Sequence, residues 1–98
     1  MARETIEVEN VNHPGKVYRL DAANYRIART AILGFLPSSA PGLTQAEMLA
    51  AMKTALAGEH PEMKAGWWMK GVQLDLEAKG LMVRDGGKPL RWRRTGVP

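Results

Sequence analysis

The strongest constraint on the fold lies near the C-terminus, where one glycine precedes a short β-hairpin and two more form its turn. Gly80 directly follows an apolar segment of helical period, at the position where glycine commonly ends a helix. Gly86 and Gly87 then separate two alternating segments, which is a standard hairpin signal. We therefore predict a helix that passes at once into a hairpin with strands near 81–84 and 90–93.

Alternation along this hairpin predicts which side chains share a face. Apolar side chains are expected on the inward face: Leu81, Val83, Leu90 and Trp92. The alternate positions are basic and are expected to point outward: Arg84, Arg91 and Arg93. The hairpin would then present a cationic surface to solvent.

Two helices are predicted upstream by their capping residues. Asp21 is a favourable N-cap for the first helix, which Pro37 stops. Thr44 and Glu47 match the capping box at the start of the second helix, which ends near Gly58. Apolar residues recur at helical spacing along both segments, so each helix is expected to bury one face.

The third helix is predicted to start at Pro61 or Glu62 and to end at Lys79. Its apolar stripe is expected to join the following strand in a single core: Trp68, Val72, Leu76, Leu81 and Val83. Asp75 and Glu77 lie two residues apart, so their side chains diverge and are interpreted as solvated charges.

The N-terminal segment is predicted to be extended. Residues 5–20 contain two short alternating stretches, with Pro14 and Gly15 at the central positions of a type II turn. A hairpin and a loose arm that crosses the domain both fit this pattern. The expected organisation is an arm or hairpin at 1–20, a helical domain with its hairpin at 21–94, and a tail at 95–98.

The excess of positive charge is concentrated at one end of the chain. The formal net charge is +4, and residues 84–98 account for all of it. The cations of this stretch are Arg84, Lys88, Arg91, Arg93 and Arg94. A clustered excess favours an anionic partner, and a solvated, solubilising surface is the alternative.

Two segments resemble known bacterial regulators. Residues 43–49 (Leu-Thr-Gln-Ala-Glu-Met-Leu) resemble the opening of the first helix–turn–helix helix in winged-helix regulators. Residues 74–84 (Leu-Asp-Leu-Glu-Ala-Lys-Gly-Leu-Met-Val-Arg) resemble the passage from their recognition helix into the wing. This resemblance implies an α+β, mainly α, winged helix–turn–helix fold with three helices and a C-terminal wing. The whole chain is also similar to a family of small bacterial proteins of uncharacterised function, which implies no activity.

The resemblance implies double-stranded DNA as a partner, with the third helix in the major groove and the wing on phosphate. The expected contacts on this helix are Lys64, Lys70 and Gln73, in addition to the basic hairpin residues. The alternative is a protein-interaction module, or a homodimer, that uses an exposed Trp67 and Leu74.

Several function classes are not indicated. The chain has no cysteine, and its two histidines, His13 and His60, lie beside prolines in predicted turns, so no metal site is expected. No catalytic constellation, cofactor motif, small-molecule site, membrane span or secretory signal is recognisable. We therefore expect a non-enzymatic, cytoplasmic protein.

Overall fold

Three helices and two antiparallel hairpins make up residues 4–95, the part of the chain that the computed structural model describes. In chain order the elements are β1 (Thr5–Glu9), β2 (Val17–Asp21), α1 (Ala22–Phe35), α2 (Gln45–Ala57), α3 (Ala65–Ala78), β3 (Met82–Asp85) and β4 (Arg91–Arg94). The prediction of an α+β chain with three helices and a C-terminal hairpin is confirmed. The predicted tail lies outside the described residues, except for Thr95.

The N-terminal segment forms a hairpin, the more ordered of its two predicted states. The Lys16 amide donates to the His13 carbonyl oxygen at 3.1 Å, and Gly15 has a φ of 89°, as a type II turn requires. β1 and β2 pair antiparallel, and β1 packs against both α1 and α3. The hairpin is therefore docked on the helices.

The predicted caps of α1 and α2 are present. The Asp21 carboxylate accepts from the Asn24 amide at 2.9 Å. Thr44 Oγ1 accepts from the Glu47 amide at 3.2 Å, and Glu47 Oε1 accepts from the Thr44 amide at 2.8 Å. This pair is the predicted capping box, and the hydrogen bond from the Thr44 amide holds the pKa of Glu47 below its usual value.

α3 begins at Ala65, later than predicted. The Met63 amide donates to the His60 carbonyl oxygen at 3.1 Å, so the chain makes a turn before the helix. The Met63 side chain at the end of this turn is buried in the core, ahead of the first residue of α3. The predicted end is confirmed, because Gly80 has a φ of 74° directly after the last helical turn.

The core lies between the three helices and is closed by one residue from each strand except β2. Its buried apolar members include Val8, Tyr25, Ala28, Ile32, Leu36, Met48, Met52, Leu56, Met63, Met69, Val72, Leu76, Met82 and Trp92. Of the residues predicted for one core, Val72 and Leu76 are fully buried, whereas Trp68 and Leu81 are partly buried against it. Among residues 4–95, no helix is long and apolar enough to cross a membrane.

A short antiparallel bridge joins the loop before α2 to the C-terminal hairpin. Leu43 and Trp92 exchange backbone hydrogen bonds, both at 2.8 Å. A Cβ at the preceding residue, Gly42, would lie 2.1 Å from the Trp92 carbonyl oxygen, so only glycine allows this approach. The bridge fixes the position of β4 relative to α2.

Candidate functional site

The register of the C-terminal hairpin decides which of its side chains face outward. Arg84 pairs with Trp92, and Val83 pairs with Arg93, so each pair shares a face. Trp92 is buried, and Arg91 and Arg93 lie on the opposite face, as predicted. The predicted placements of Val83 and Arg84 are wrong, because the two residues have exchanged faces.

The exchange arises because Met82 fills the buried position on β3. Side chains alternate with period two along a strand, so a shift of one residue moves every side chain to the other face. Leu81 lies just before β3 and is partly buried. Leu90, which was predicted to point inward, precedes β4 and is exposed.

Arg84 belongs to the joint between α3 and the hairpin. Its Nε and Nη2 atoms lie 3.2 and 3.4 Å from the two carboxylate oxygens of Glu77, and its guanidinium lies 5.3 Å from the Trp92 ring centroid. Trp92 Nε1 also donates to Glu77 Oε1, at 3.1 Å. The Glu77 side chain is only 6% exposed, so its interpretation as a solvated charge is wrong. The positive charge of Arg84 neutralises the nearly buried Glu77 carboxylate, so Arg84 is not free to bind another anion.

Arg91 and Arg93 form partly solvated ion pairs. Arg93 Nε lies 2.9 Å from Asp85 Oδ2, and Arg91 Nη1 lies 3.4 Å from Glu47 Oε1. Arg91 Nη1 also donates to the Gly42 carbonyl oxygen at 3.0 Å. The side chains of Arg91 and Arg93 remain 38% and 31% exposed, so both present charge on the outer face of the hairpin.

Three further predicted cations are exposed. Lys64 is the N-cap residue of α3, Lys88 lies between β3 and β4, and Arg94 ends β4. Among residues 4–95, none of the three forms an ion pair with a carboxylate. They are therefore accessible to an external anion.

Gln73 is fully buried, and the prediction that it lies on the exposed face of α3 is wrong. Its side-chain amide and that of Gln45 exchange hydrogen bonds at 3.3 and 3.4 Å. Gln73 follows Met69 by four residues and precedes Leu76 by three, so it shares their buried side. The amide pair satisfies both side chains and joins α2 to α3.

An apolar groove of about 290 Å³ separates the N-terminal hairpin from α3. Trp67 and Leu74, the two residues predicted for protein contact, both line it, so the structure brings them together. Tyr18 and Leu20 line it from the hairpin, and Trp67 and Tyr18 are 56% and 44% exposed. Lys70, a predicted DNA contact, also lies here and is exposed.

A buried carboxylate joins three parts of the chain. Asp75 is fully buried and accepts hydrogen bonds from the Tyr25 hydroxyl, from Lys79 Nζ at 2.8 Å, and from the Glu9 amide at 2.8 Å. Its interpretation as a solvated charge is wrong. The overlooked signal is its position three residues after Val72 and seven after Trp68, along the edge of the apolar stripe.

One protein-family model matches most of the chain. A family model for DUF6958, a family of unknown function, matches residues 5–92. The chain belongs to the DUF6958 family. No curated protein and no solved structure gives a match. The DUF6958 match includes the N-terminal hairpin, the three helices and the C-terminal hairpin up to Trp92, and it ends before Arg93 and Arg94.

The Asp75 network of this DUF6958 protein predicts a loss of stability at alkaline pH. Burial, followed by the hydrogen bond to Asp75 and its negative charge, raises the pKa of Tyr25 well above its usual value of about 10. Because the pKa is higher in the folded state, this contribution to stability is fully present below about pH 10 and decreases as the pH rises above it.

Urea unfolding of the wild type and of Tyr25→Phe between about pH 8 and pH 11 measures this effect. The variant should be less stable at pH 8, by roughly 1 kcal/mol, because the hydroxyl is lost. The difference in free energy of unfolding between the wild type and Tyr25→Phe should become smaller as the pH rises above about 10. A difference in free energy of unfolding that stays constant from about pH 8 to pH 11 would contradict the raised pKa of Tyr25.

Proposed function

We propose that this protein is a winged-helix DNA-binding protein that contacts the phosphate backbone through its C-terminal hairpin and the start of α3. The observation that carries the proposal is the bridge between Leu43 and Trp92. The bridge pairs the segment between α1 and α2 with β4, so the elements after the N-terminal hairpin run as a helix, a short extended segment, two helices and the C-terminal hairpin. This is the order of a winged helix–turn–helix domain, with the hairpin as its wing.

The exposed cations favour phosphate as the target. Lys88 lies in the turn of the wing, and Arg91 and Arg93 lie on its outer face. Lys64 precedes the first turn of α3, where no side chain caps the helix. Free amides and the helix dipole at an N-terminus favour phosphate, and helix–turn–helix proteins direct this end of the recognition helix toward DNA.

The ion pairs of Arg91 and Arg93 are compatible with this function. The Arg91–Glu47 pair is exposed, and pairs of this kind stabilise a fold by about 0–1 kcal/mol, so a phosphate can replace this carboxylate at little cost. The Arg93–Asp85 pair is less exposed, and Arg93 is expected to contact phosphate while it keeps this partner. Arg84 is left out of the proposed contact because Glu77, its partner, is nearly buried. Replacing Arg84 would leave that acid without compensation.

The proposed binding is independent of base sequence. Gln73, the residue expected to read adenine, is buried against Gln45. Lys70 lies in the groove beside the N-terminal hairpin. Phosphate contacts position a protein on the duplex and carry no base information.

Titration of a mixed-sequence duplex at several salt concentrations tests the proposal. The affinity of the wild type should fall linearly with salt on logarithmic axes, because each phosphate contact releases condensed counterion. Replacing Lys64 and Lys88 together with glutamine should flatten the slope by about 1.8, since each contact contributes about 0.9.

The matched control replaces Lys16 and Arg19 of the N-terminal hairpin with glutamine, which removes the same formal charge elsewhere. This variant should keep the wild-type slope. Absence of duplex binding by the wild type at low ionic strength would refute the proposal. Equal flattening in both variants would show that only net charge matters, and would refute the assigned surface.

Protein contact through Trp67 and Leu74 is the second candidate function. It is favoured by their shared position in one exposed, apolar groove.

A further inference from the structure

The turn of the wing is exposed along its whole length. The residues that join β3 to β4 are all exposed: Gly86, Gly87, Lys88, Pro89 and Leu90. Leu90 is 40% exposed, so its side chain is not part of the core. Phosphate contact by the cations of the wing gives no role to Pro89 and Leu90, the apolar pair of this turn. A partner that covers the apolar pair would remove its surface from water.

Positive charge lies on both sides of the apolar pair in the sequence. Lys88 precedes it and, among residues 4–95, forms no ion pair with a carboxylate. Arg91 follows it, and its side chain remains 38% exposed. Asp85, at the other end of the turn, is neutralised by Arg93, whose Nε lies 2.9 Å from Asp85 Oδ2. The partner that fits this turn therefore combines an anionic surface with apolar surface.

The minor groove of duplex DNA has both properties. Phosphates line its edges, and it is about 6 Å wide, so only a thin element can enter it. Gly86 and Gly87 have no side chains, which keeps one half of the turn thin. Proteins that bind in this groove often insert apolar side chains such as Leu or Pro between base steps, with Arg or Lys nearby. The composition of the turn matches this kind of contact.

We propose that the apolar pair is a wedge that enters the minor groove and partly unstacks one base step. The inference rests on the proposed function, because the cations of the wing hold the wedge on the duplex, and it names the groove and the preferred kind of DNA. Unstacking a base step costs free energy, and the cost is lower where a mismatch has already weakened the stack. The preferred partner is therefore a duplex with a locally weakened stack. Such a wedge detects how easily DNA deforms and reads no base edges, which agrees with sequence-independent phosphate contact.

Competition between two duplexes for the full chain tests the wedge. One duplex is mixed in sequence and fully paired, and the other differs from it only by a single central T·T mismatch. The wild type should bind the mismatched duplex about tenfold more tightly. Leu90→Ala should lose most of this preference, while its binding to the paired duplex keeps the wild-type salt slope. Leu90→Met should retain the preference, because methionine also serves as an apolar wedge.

Two control variants separate the wedge from charge and from exposed apolar surface in general. Lys88→Gln should weaken binding to both duplexes equally and flatten the salt slope by about 0.9, with the preference for the mismatch unchanged. Val17→Ala removes an apolar side chain that is 54% exposed on the N-terminal hairpin, and it should change neither the slope nor the preference. All variants should melt close to the wild type, because each replaced side chain is exposed.

Three results would each overturn the inference. The first is a wild type that binds both duplexes with equal affinity, which would leave phosphate contact in place and remove the wedge. The second is Leu90→Ala that is folded by circular dichroism and retains the full preference. The third is an equal loss of preference in Val17→Ala and Leu90→Ala. Absence of binding to either duplex by the wild type at low ionic strength would instead refute the proposed function itself, and the wedge with it.

Discussion

Replacing Asp75 with alanine is expected to lower the free energy of unfolding by about 3 kcal/mol. The substitution leaves the Glu9 amide and the Tyr25 hydroxyl without their acceptor, and a buried donor without a partner costs about 1–3 kcal/mol. Lys79 adds little to this loss, because its side chain is 34% exposed and can turn into solvent. Urea denaturation with a two-state fit measures the change.

The control for this prediction is Glu59→Ala, which removes an exposed carboxylate and should change stability by less than about 0.5 kcal/mol. Hydrogen exchange adds a local readout. In the Asp75 variant the Glu9 amide should exchange faster than in the wild type, because its hydrogen bond to the carboxylate is lost. Unchanged stability and unchanged exchange at Glu9 would show that Asp75 does not hold the hairpin to α3.

Leu76→Ala is expected to lower the free energy of unfolding by about 2–5 kcal/mol. Leu76 is fully buried, and large-to-small substitutions at such positions lose the transfer free energy of the side chain and leave a cavity. Leu74→Ala is the matched control on the same helix. Its side chain is half-buried in the groove, so the loss should be clearly smaller. Equal losses for the two variants would contradict the orientation of α3.

Features that depend on neighbours in sequence could be predicted. The capping box of Thr44 and Glu47 and the turn at Pro14 and Gly15 are specified within four residues, and both are present. Gly80 ends α3 for the same local reason. These features also fix the order of helices and hairpins, and so most of the coarse fold.

The faces of the C-terminal hairpin could not be predicted from the pattern. Leu81, Met82 and Val83 are consecutive apolar residues, so alternation does not determine which of them is buried. Packing against the helices selects Met82. That choice moves Arg84 from the outer face to the Trp92 side and removes it from the candidate phosphate contacts.

The buried polar residues of α3 depend on partners far along the chain. Gln73 pairs with Gln45, 28 residues away, and Asp75 bonds to Tyr25, 50 residues away. A polar residue in a helical pattern is read as exposed unless its partner is known. The groove beside Trp67 could not be predicted for a similar reason, because its two walls come from distant segments, the N-terminal hairpin and α3.

The central claim is that the wing and the start of α3 contact DNA phosphates. It is tested most directly by adding a mixed-sequence duplex, at low ionic strength, to isotope-labelled protein and following its amide NMR signals. We expect the signals of Lys64, Lys88, Arg91 and Arg93 to shift in proportion to the duplex bound, while those of Val17 and Arg19 stay in place. Shifts confined to the N-terminal hairpin, or no shifts at all, would contradict the account.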